Sequence, residues 1–159
     1  MKERATAVDR VRAALRASGV DAEVLEFPAG TRTAEDAARA LGTSVAQIVK
    51  SLVFLADGRP TLVLASGANR VDTRKLAALC GAQTVVKADA ETVRRATGFG
   101  IGGVPPFGHL RALPTFLDQD LIGHAIVYAA AGTPNAVFPV APDHLLRITG
   151  AHPADLRET

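Results

Sequence analysis

The chain has 159 residues, of which 48% are hydrophobic and 21% charged, with a formal net charge of +2. A chain of this length buries about 68–70% of its unfolded surface, so we expect one domain over residues 1–159 that folds without a disulfide or a metal. The composition excludes an internal disulfide, because Cys80 is the single cysteine, and a platform for stacking nucleic-acid strands, because only 4% of the residues are aromatic.

The first third of the chain predicts helices and one short strand. Val8, Val11 and Leu15 recur at helical spacing and indicate an amphipathic first helix. Thr33 is a suitable N-cap for a second helix, with acidic residues in its first turn. The expected elements are a helix over 5–17, a strand over 24–27, a helix from 33 to 42 and a short helix over 44–49.

The rest of the chain mixes hairpins with helices. The apolar runs 51–56 and 61–65 flank Asp57-Gly58-Arg59-Pro60, a sequence typical of a hairpin turn. Asp72 and Asp89 are expected N-caps of two further helices. We therefore expect a compact α+β domain in which helices flank a mixed, mainly antiparallel sheet. Its remaining expected elements are strands over 84–87, 113–117, 125–130 and 136–140 and helices ending near 79, 98 and 148.

Lys50 is the first candidate functional residue. It stands where the short helix is expected to meet the strand over 51–56, and strand alternation puts it on the same side as Leu52 and Phe54. A lysine on an apolar side needs a partner or a function. The structural alternative is a lysine that interacts with the helix dipole and extends to water.

Residues 98–109 form a second candidate region, because they are too rich in Gly and Pro for a helix or a central strand. They contain the Gly-x-Gly-x-x-Gly spacing of dinucleotide-binding folds. That motif works between a strand and a following helix, whereas here a helix is expected before it and Val104-Pro105-Pro106 disfavours one after it. We therefore reject nucleotide binding. The glycine N–H groups can instead bind an oxyanion, and a loop shaped only by its turns is the equal alternative.

Other motifs exclude common reaction types or leave two interpretations open. The four histidines lack the spacing of metal ligands, and no Gly-x-Ser-x-Gly segment marks a serine nucleophile. We expect no metal. His109 is the most interesting histidine, because it ends the glycine-rich loop. Residues 66–72 place hydroxyl, amide and guanidinium groups after an apolar strand, where they line a pocket or only form a turn before the helix at Asp72.

No apolar stretch reaches the roughly 18–20 residues of a membrane span, and no signal-peptide pattern follows Met1. We therefore expect a cytoplasmic protein without a membrane partner. The charge bias is mild and no long Lys/Arg tract occurs. If nucleic acid is bound, we expect the contact at an end and not along a groove.

Five segments in their order resemble a known family: Thr33–Ala38, Leu41-Gly42, Gln47–Phe54, Ser66–Asp72 and Gly102–His109. The chain resembles the YbaK/ProX family of free-standing aminoacyl-tRNA deacylases, related to the editing domain inserted in bacterial prolyl-tRNA synthetases. The similarity runs from about Val24 to Ile148. Each segment alone is weak evidence, whereas the ordered set is fairly specific.

The resemblance implies a function and a site. Members hydrolyse the ester of mischarged aminoacyl-tRNA by water attack, helped by the terminal ribose hydroxyl and without a metal or other cofactor. We expect a trans-editing hydrolase for tRNA-Pro carrying a small wrong amino acid such as Ala or Cys. Its expected partners are the acceptor end of aminoacyl-tRNA and a prolyl-tRNA synthetase. The implied catalytic residues are Lys50, Gly102 and Gly103, and the implied substrate-binding residues are Phe27, Ser66, Asn69, Arg70, Val104, Pro105, Pro106, His109, Thr133 and Asn135.

One departure from the family leaves the substrate open. Several members carry a His or an Asp near the late hairpin to help recognise the amino acid, whereas this chain has the neutral Thr133 and Asn135. The amino acid removed is therefore undetermined by the sequence. The neutral hairpin also motivates an alternative, a non-catalytic module that binds the tRNA acceptor end or a synthetase. A third hypothesis is a hydrolase of another small activated ester or amide.

Overall fold

The structure, a computed structural model, describes residues 6–28, 31 and 33–159. Among these residues none of the helices is both long and apolar enough to cross a membrane. The helices α1–α5 are Ala7–Ala17, Ala34–Leu41, Thr73–Cys80, Ala90–Thr97 and Pro142–Thr149. The strands β1–β8 are Leu25–Glu26, Ile48–Ala56, Arg59–Ser66, Val85–Lys87, Thr115–Asp118, Val127–Ala130, Ala136–Val140 and His152–Ala154.

The strands form one mixed sheet in the order β1-β7-β6-β2-β3-β5-β8, and β4 pairs with β2 outside this path. Four pairs are antiparallel: β1–β7, β6–β7, β2–β3 and β2–β4. The pairs β2–β6, β3–β5 and β5–β8 are parallel. The expected α+β class with a mixed sheet is confirmed.

The helices begin and end where local chemistry predicts. Thr33 and Asp36 form a capping box at the start of α2, in which each side chain accepts the other's main-chain N–H. Asp72 and Asp89 accept N–H groups from the first turns of α3 and α4. Gly42 ends α2 at a φ of 69°, in the left-handed region that glycine adopts without steric cost.

The core lies on both faces of the sheet, because alternate residues of β2 point to opposite sides. Val49 and Val53 belong to the larger buried cluster, which includes residues of α1, α4 and α5. Phe54 points the other way and packs with Leu76 of α3. Covering both faces explains why β2 and β3 are apolar along most of their length.

The structure corrects several expected elements. The helix expected over 44–49 is a 3₁₀ helix limited to Val45–Gln47, because Ile48 already pairs with Tyr128 of β6. The strand expected over 24–27 is limited to Leu25–Glu26 (β1). The strand expected over 113–117 begins two residues later and spans Thr115–Asp118 (β5). Strand β8 was not expected; it contains Pro153 and forms through parallel pairing with β5. Pairing between distant segments overrides local preference in each case.

Candidate active site

Strand β2 has an incomplete edge near its middle. Strand β3 pairs with one edge of β2 from Val49 to Ala56. On the other edge β6 pairs with Ile48 and Val49, and β4 begins only at Phe54. No strand among the described residues pairs with this edge at residues 50–52. A cavity of about 510 Å³ lies at this opening and is lined by residues 48–53 together with neighbouring elements.

The cavity has an apolar inner wall and a polar mouth. The buried lining residues are aliphatic and come mostly from the larger core cluster: Ala37, Ile48, Val49, Val53, Ala88, Val93, Val104, Ala136 and Val137. The exposed lining residues are Thr33, Glu35, Lys87, Ile101, Gly102 and Pro134. Sites for small molecules have this volume and this mainly apolar lining with a few polar groups. The arrangement suits a ligand with a small apolar part and a charged or polar part.

Lys50 is half-buried and lines the cavity. It is the third residue of β2, and its Nζ donates to the carbonyl oxygen of Asn69 at 2.6 Å. Burial lowers the pKa of Lys50; Glu35 opposes this shift, whereas Lys87 and Arg70 add to it. An ammonium carries three donor hydrogens, so two remain for a ligand.

The turn that holds Lys50 depends on the buried carboxylate of Asp118. One oxygen of Asp118 accepts the Ser66 N–H at 3.1 Å and the Asn69 Nδ2 at 2.8 Å. Asn69 Nδ2 also donates to Asp120 at 2.8 Å. Ser66 Oγ donates to the carbonyl of Ala46 at 2.8 Å. Ser66 and Asn69 therefore stabilise the turn that presents a carbonyl to Lys50, and neither lines the cavity.

Replacing Asp118 with alanine should destabilise the protein and weaken the site together. The change leaves the Ser66 N–H buried without an acceptor and removes one acceptor from Asn69. We expect a loss of about 2–4 kcal/mol in the free energy of unfolding, because the removal of a buried charged acceptor leaves its donors unpaired. Chemical denaturation measures this loss. Asp120→Ala is the control and should cost less, because the Asp120 carboxylate lies nearer solvent; an equal loss in both variants would contradict the prediction.

The glycine-rich loop contributes Gly102 to the cavity wall but not Gly103. Gly102 has a φ of 86° and lies against Pro134, whose Cγ would be 3.2 Å from a Cβ at this position. The Gly103 N–H donates to Gly100 at 3.0 Å, and its carbonyl accepts from Gly132 at 3.0 Å. Gly103 thus has no free N–H for an oxyanion, which corrects its expected role. It allows close packing of two loops.

The main chain of Ser51 faces the opening in the sheet. The carbonyl of Val53 accepts from Ala88 N–H on this edge at 3.0 Å, and alternation directs the N–H and C=O of Ser51 to the same edge. Ser51 Oγ is buried and has no hydrogen-bond partner among the described residues. Ser51 therefore directs main-chain groups towards the opening, and Gly102 borders the same cavity.

The other expected substrate-binding residues lie around the cavity and mostly outside its lining. Val104 lines it, whereas Pro105 and Pro106 are buried behind it and Arg70 is exposed. Arg70 nevertheless acts on Lys50 through its charge.

His109 holds the glycine-rich loop instead of lining the cavity. Its Nε2 lies 2.6 Å from the carbonyl oxygen of Pro105, and burial lowers its pKa. The contact ties the end of the loop to its middle. The structure thus gives His109 a structural contact outside the cavity lining, and a substrate contact at His109 stays a prediction.

Phe27, Thr133 and Asn135 form a hydrogen-bonded group behind the cavity. Asn135 Nδ2 donates to the carbonyl of Phe27 at 2.9 Å, and the Phe27 N–H donates to the carbonyl of Asn135 at 2.7 Å. Thr133 Oγ donates to Asn135 Oδ1 at 3.0 Å. The side chains of Thr133 and Asn135 and the main chain of Phe27 stabilise the hairpin, and Pro134 of the same hairpin lines the cavity.

Several lining residues were not expected from the sequence. Glu35, Ser51, Lys87 and Tyr128 belong to four different elements, and only the fold brings them together. Lys87 ends a short strand and Glu35 begins a helix, so each has an ordinary local explanation. No group of three or more His, Cys, Asp or Glu residues within the described part of the chain could hold a metal ion.

Comparison with known proteins gives consistent similarities. The profile of the aminoacyl-tRNA editing domain matches residues 28–148. A crystal structure named as a candidate trans-editing enzyme for prolyl tRNA synthetase superposes with a TM-score of 0.93 at 48% identity, covering 99% of this chain and 100% of that one.

Two curated relatives extend the comparison. The uncharacterized protein YwhH of Bacillus subtilis is 32% identical over 124 residues, covering 77% of this chain and 78% of YwhH. The proline–tRNA ligase of Elusimicrobium minutum is 41% identical over 103 residues, which cover 63% of this chain and 18% of the ligase. Because the family profile matches residues 28–148, which are most of this chain, the chain belongs to the aminoacyl-tRNA editing domain family.

Proposed function

We propose that the protein is a trans-editing hydrolase that deacylates mischarged aminoacyl-tRNA, with tRNA-Pro carrying a small wrong amino acid as its substrate. The observation that carries the proposal is one cavity in which Lys50 and Gly102 border a small aliphatic interior. Membership of the editing family supports it. The similarity to a structure named for prolyl-tRNA synthetase and to part of a proline–tRNA ligase supports tRNA-Pro and a synthetase partner.

The reaction needs positioning more than a nucleophilic side chain. Water adds to the ester carbonyl carbon, and the bond from that carbon to the ribose oxygen breaks. The ribose oxygen leaves as a hydroxyl by taking the proton that the water gives up, and the amino acid is released. Lys50 binds the terminal phosphate or the carbonyl end, and the Gly102 N–H stabilises the oxyanion. Orienting water and ester in line and stabilising the developing charge supply several kcal/mol together.

The inner wall suits an uncharged side chain. It is built from valines, alanines and Ile48, which offer an aliphatic surface without charge. Such a wall distinguishes side chains that differ by one methylene by only about 1–3 kcal/mol. The wall is compatible with alanine and cysteine, the small amino acids that the family resemblance implies, and by itself distinguishes them weakly.

The direct test is the release of amino acids from purified charged tRNA. Alanyl-, cysteinyl- and prolyl-tRNA-Pro are incubated with the protein, and we expect faster release of alanine or cysteine than in buffer, with prolyl-tRNA-Pro spared. No release above the uncatalysed rate from any of the three would contradict the proposal. Binding of an uncleaved analogue without any release would instead support the non-catalytic module.

The rate should depend on pH through Lys50. Burial lowers the pKa of Lys50, so its ammonium loses its proton at a lower pH than an exposed lysine does. The enzymatic rate, after subtraction of the uncatalysed rate, should therefore fall as the pH rises through this lowered pKa. In Lys50→Arg any residual activity should persist to higher pH, because a guanidinium stays charged. Identical alkaline limbs in the two proteins would count against a charged Lys50 in the mechanism.

A further inference from the structure

Glu35 places a carboxylate at the mouth of the cavity. It is the second residue of α2 and is exposed, and it lines the same cavity as Lys50. Among the described lining residues it is the sole carboxylate, while Lys50 and Lys87 are cations. The mouth therefore carries charges of both signs at separate positions.

The charges around Lys50 act in opposite directions. Glu35 exerts the largest charge interaction on Lys50 and favours its charged form. Lys87 and Arg70 disfavour that form. A cationic group entering the cavity meets the same surroundings, so it is repelled by the basic residues and attracted by Glu35.

The proposed substrate carries charges that match this pattern. An aminoacyl ester at the end of a tRNA has a phosphodiester next to the ribose and an ammonium group on the carbon beside the ester carbonyl. The phosphodiester suits Lys50 and Lys87, but the ammonium needs an acceptor of opposite charge. Resting on the proposed function, we propose that Glu35 binds the α-ammonium group of the aminoacyl ester and so selects substrates with a free α-amine.

A purely structural role of Glu35 can be distinguished experimentally from binding of the α-ammonium group. A carboxylate in the first turn of a helix stabilises that helix through the macrodipole. Glu91 occupies the equivalent second position of α4, is also exposed and does not line the cavity. Glu91→Gln is therefore a matched control for the effect of Glu35→Gln on helix stability.

The test uses two non-hydrolysable analogues that differ only in the α-amine: 3′-alanylamino-3′-deoxyadenosine and 3′-propionylamino-3′-deoxyadenosine. Dissociation constants are measured by NMR titration for the unmodified protein, Glu35→Gln and Glu91→Gln. We expect the unmodified protein and Glu91→Gln to bind the alanyl analogue about fivefold or more tightly than the propionyl analogue, as a charge-assisted hydrogen bond implies. Glu35→Gln should bind both analogues equally. A preference that survives in Glu35→Gln, or no preference in the unmodified protein, overturns the proposal.

Hydrolysis assays separate this inference from the proposed function. Alanyl-tRNA-Pro and N-acetyl-alanyl-tRNA-Pro are compared, and Glu35→Gln should slow release from the free-amine substrate without slowing release from the acetylated one. An equal loss on both substrates overturns the ammonium site while the hydrolase stands. The unmodified protein could also prefer the analogue with the amine and yet hydrolyse neither substrate. That result supports the ammonium site and contradicts the proposed function.

Discussion

Lys50→Met should lower kcat/KM for deacylation of alanyl-tRNA-Pro by about ten- to a hundredfold, because it removes a charged hydrogen-bond donor, worth about 1.5–3 kcal/mol, from the terminal phosphate or the carbonyl end of the substrate. The methionine keeps the length and apolar stem of the side chain, so the cavity retains its shape. The change also removes a partly buried charge whose pKa is lowered by that burial. The variant should therefore lose activity without losing stability. Its midpoint of thermal unfolding should stay within a few degrees of that of the unmodified protein.

Lys75→Met is the matched control for Lys50→Met. Lys75 lies on α3 outside the cavity, and its Nζ pairs with Asp155 at 2.9 Å. The same substitution there should leave the deacylation rate unchanged, because Lys75 does not line the cavity. Its loss removes the ion pair with Asp155 and a hydrogen bond to the carbonyl of Arg157, which affect stability alone. Rates measured at saturating and at low tRNA concentrations distinguish a lower kcat from a higher KM. If Lys50→Met retains the rate of the unmodified protein, Lys50 has no role in the reaction.

Gly103→Ala should destabilise the protein strongly. A Cβ at Gly103 would lie 2.5 Å from the carbonyl oxygen of Gly132 and 2.7 Å from Thr133 Cα, so main chain must move. Overpacking costs about 1–3 kcal/mol, and contact with backbone places this site at the upper end. At about 2–4 °C per kcal/mol, the midpoint of thermal unfolding should fall by about 4–12 °C. Deacylation should also slow, because the neighbouring Gly102 wall shifts.

Gly123→Ala provides the comparison for Gly103→Ala. A Cβ at Gly123 meets nothing within 4 Å, and its φ lies outside the left-handed region. We expect a change within about 0.5 kcal/mol, as for other surface substitutions. Differential scanning calorimetry on both variants measures the contrast. Equal midpoints for the two variants would mean that the two loops do not pack as closely as the structure shows.

The elements that local chemistry defines could be predicted, and those that distant pairing defines could not. The caps at Thr33, Asp72 and Asp89 join groups only two or three residues apart, so the sequence contains the whole interaction. Strand β8 depends on pairing with β5, about 35 residues away, and its sequence has little strand preference. The end of the short helix before β2 was also misplaced, because β6 pairs with Ile48 from a distant part of the chain.

The same division holds for the site. Lys50 was identifiable because a lysine in an apolar strand is unusual, and Gly102 because its loop suits neither helix nor strand. The expected free amide at Gly103 was wrong, because its N–H bonds to Gly100 within the loop. Glu35 carried no functional signal, since a glutamate at the start of a helix is ordinary.

The amino-acid sequence by itself determined the α+β class and most helix boundaries. It also indicated Lys50 and the glycine-rich loop together as the candidate active site. Only the tertiary structure decided that no strand of the described residues pairs with β2 between β6 and β4, which opens the cavity. It also decided which charges meet at the mouth. The physical reason is that capping and burial patterns act over a few residues, whereas an opening in a sheet and a charge pattern depend on strands brought together from across the chain.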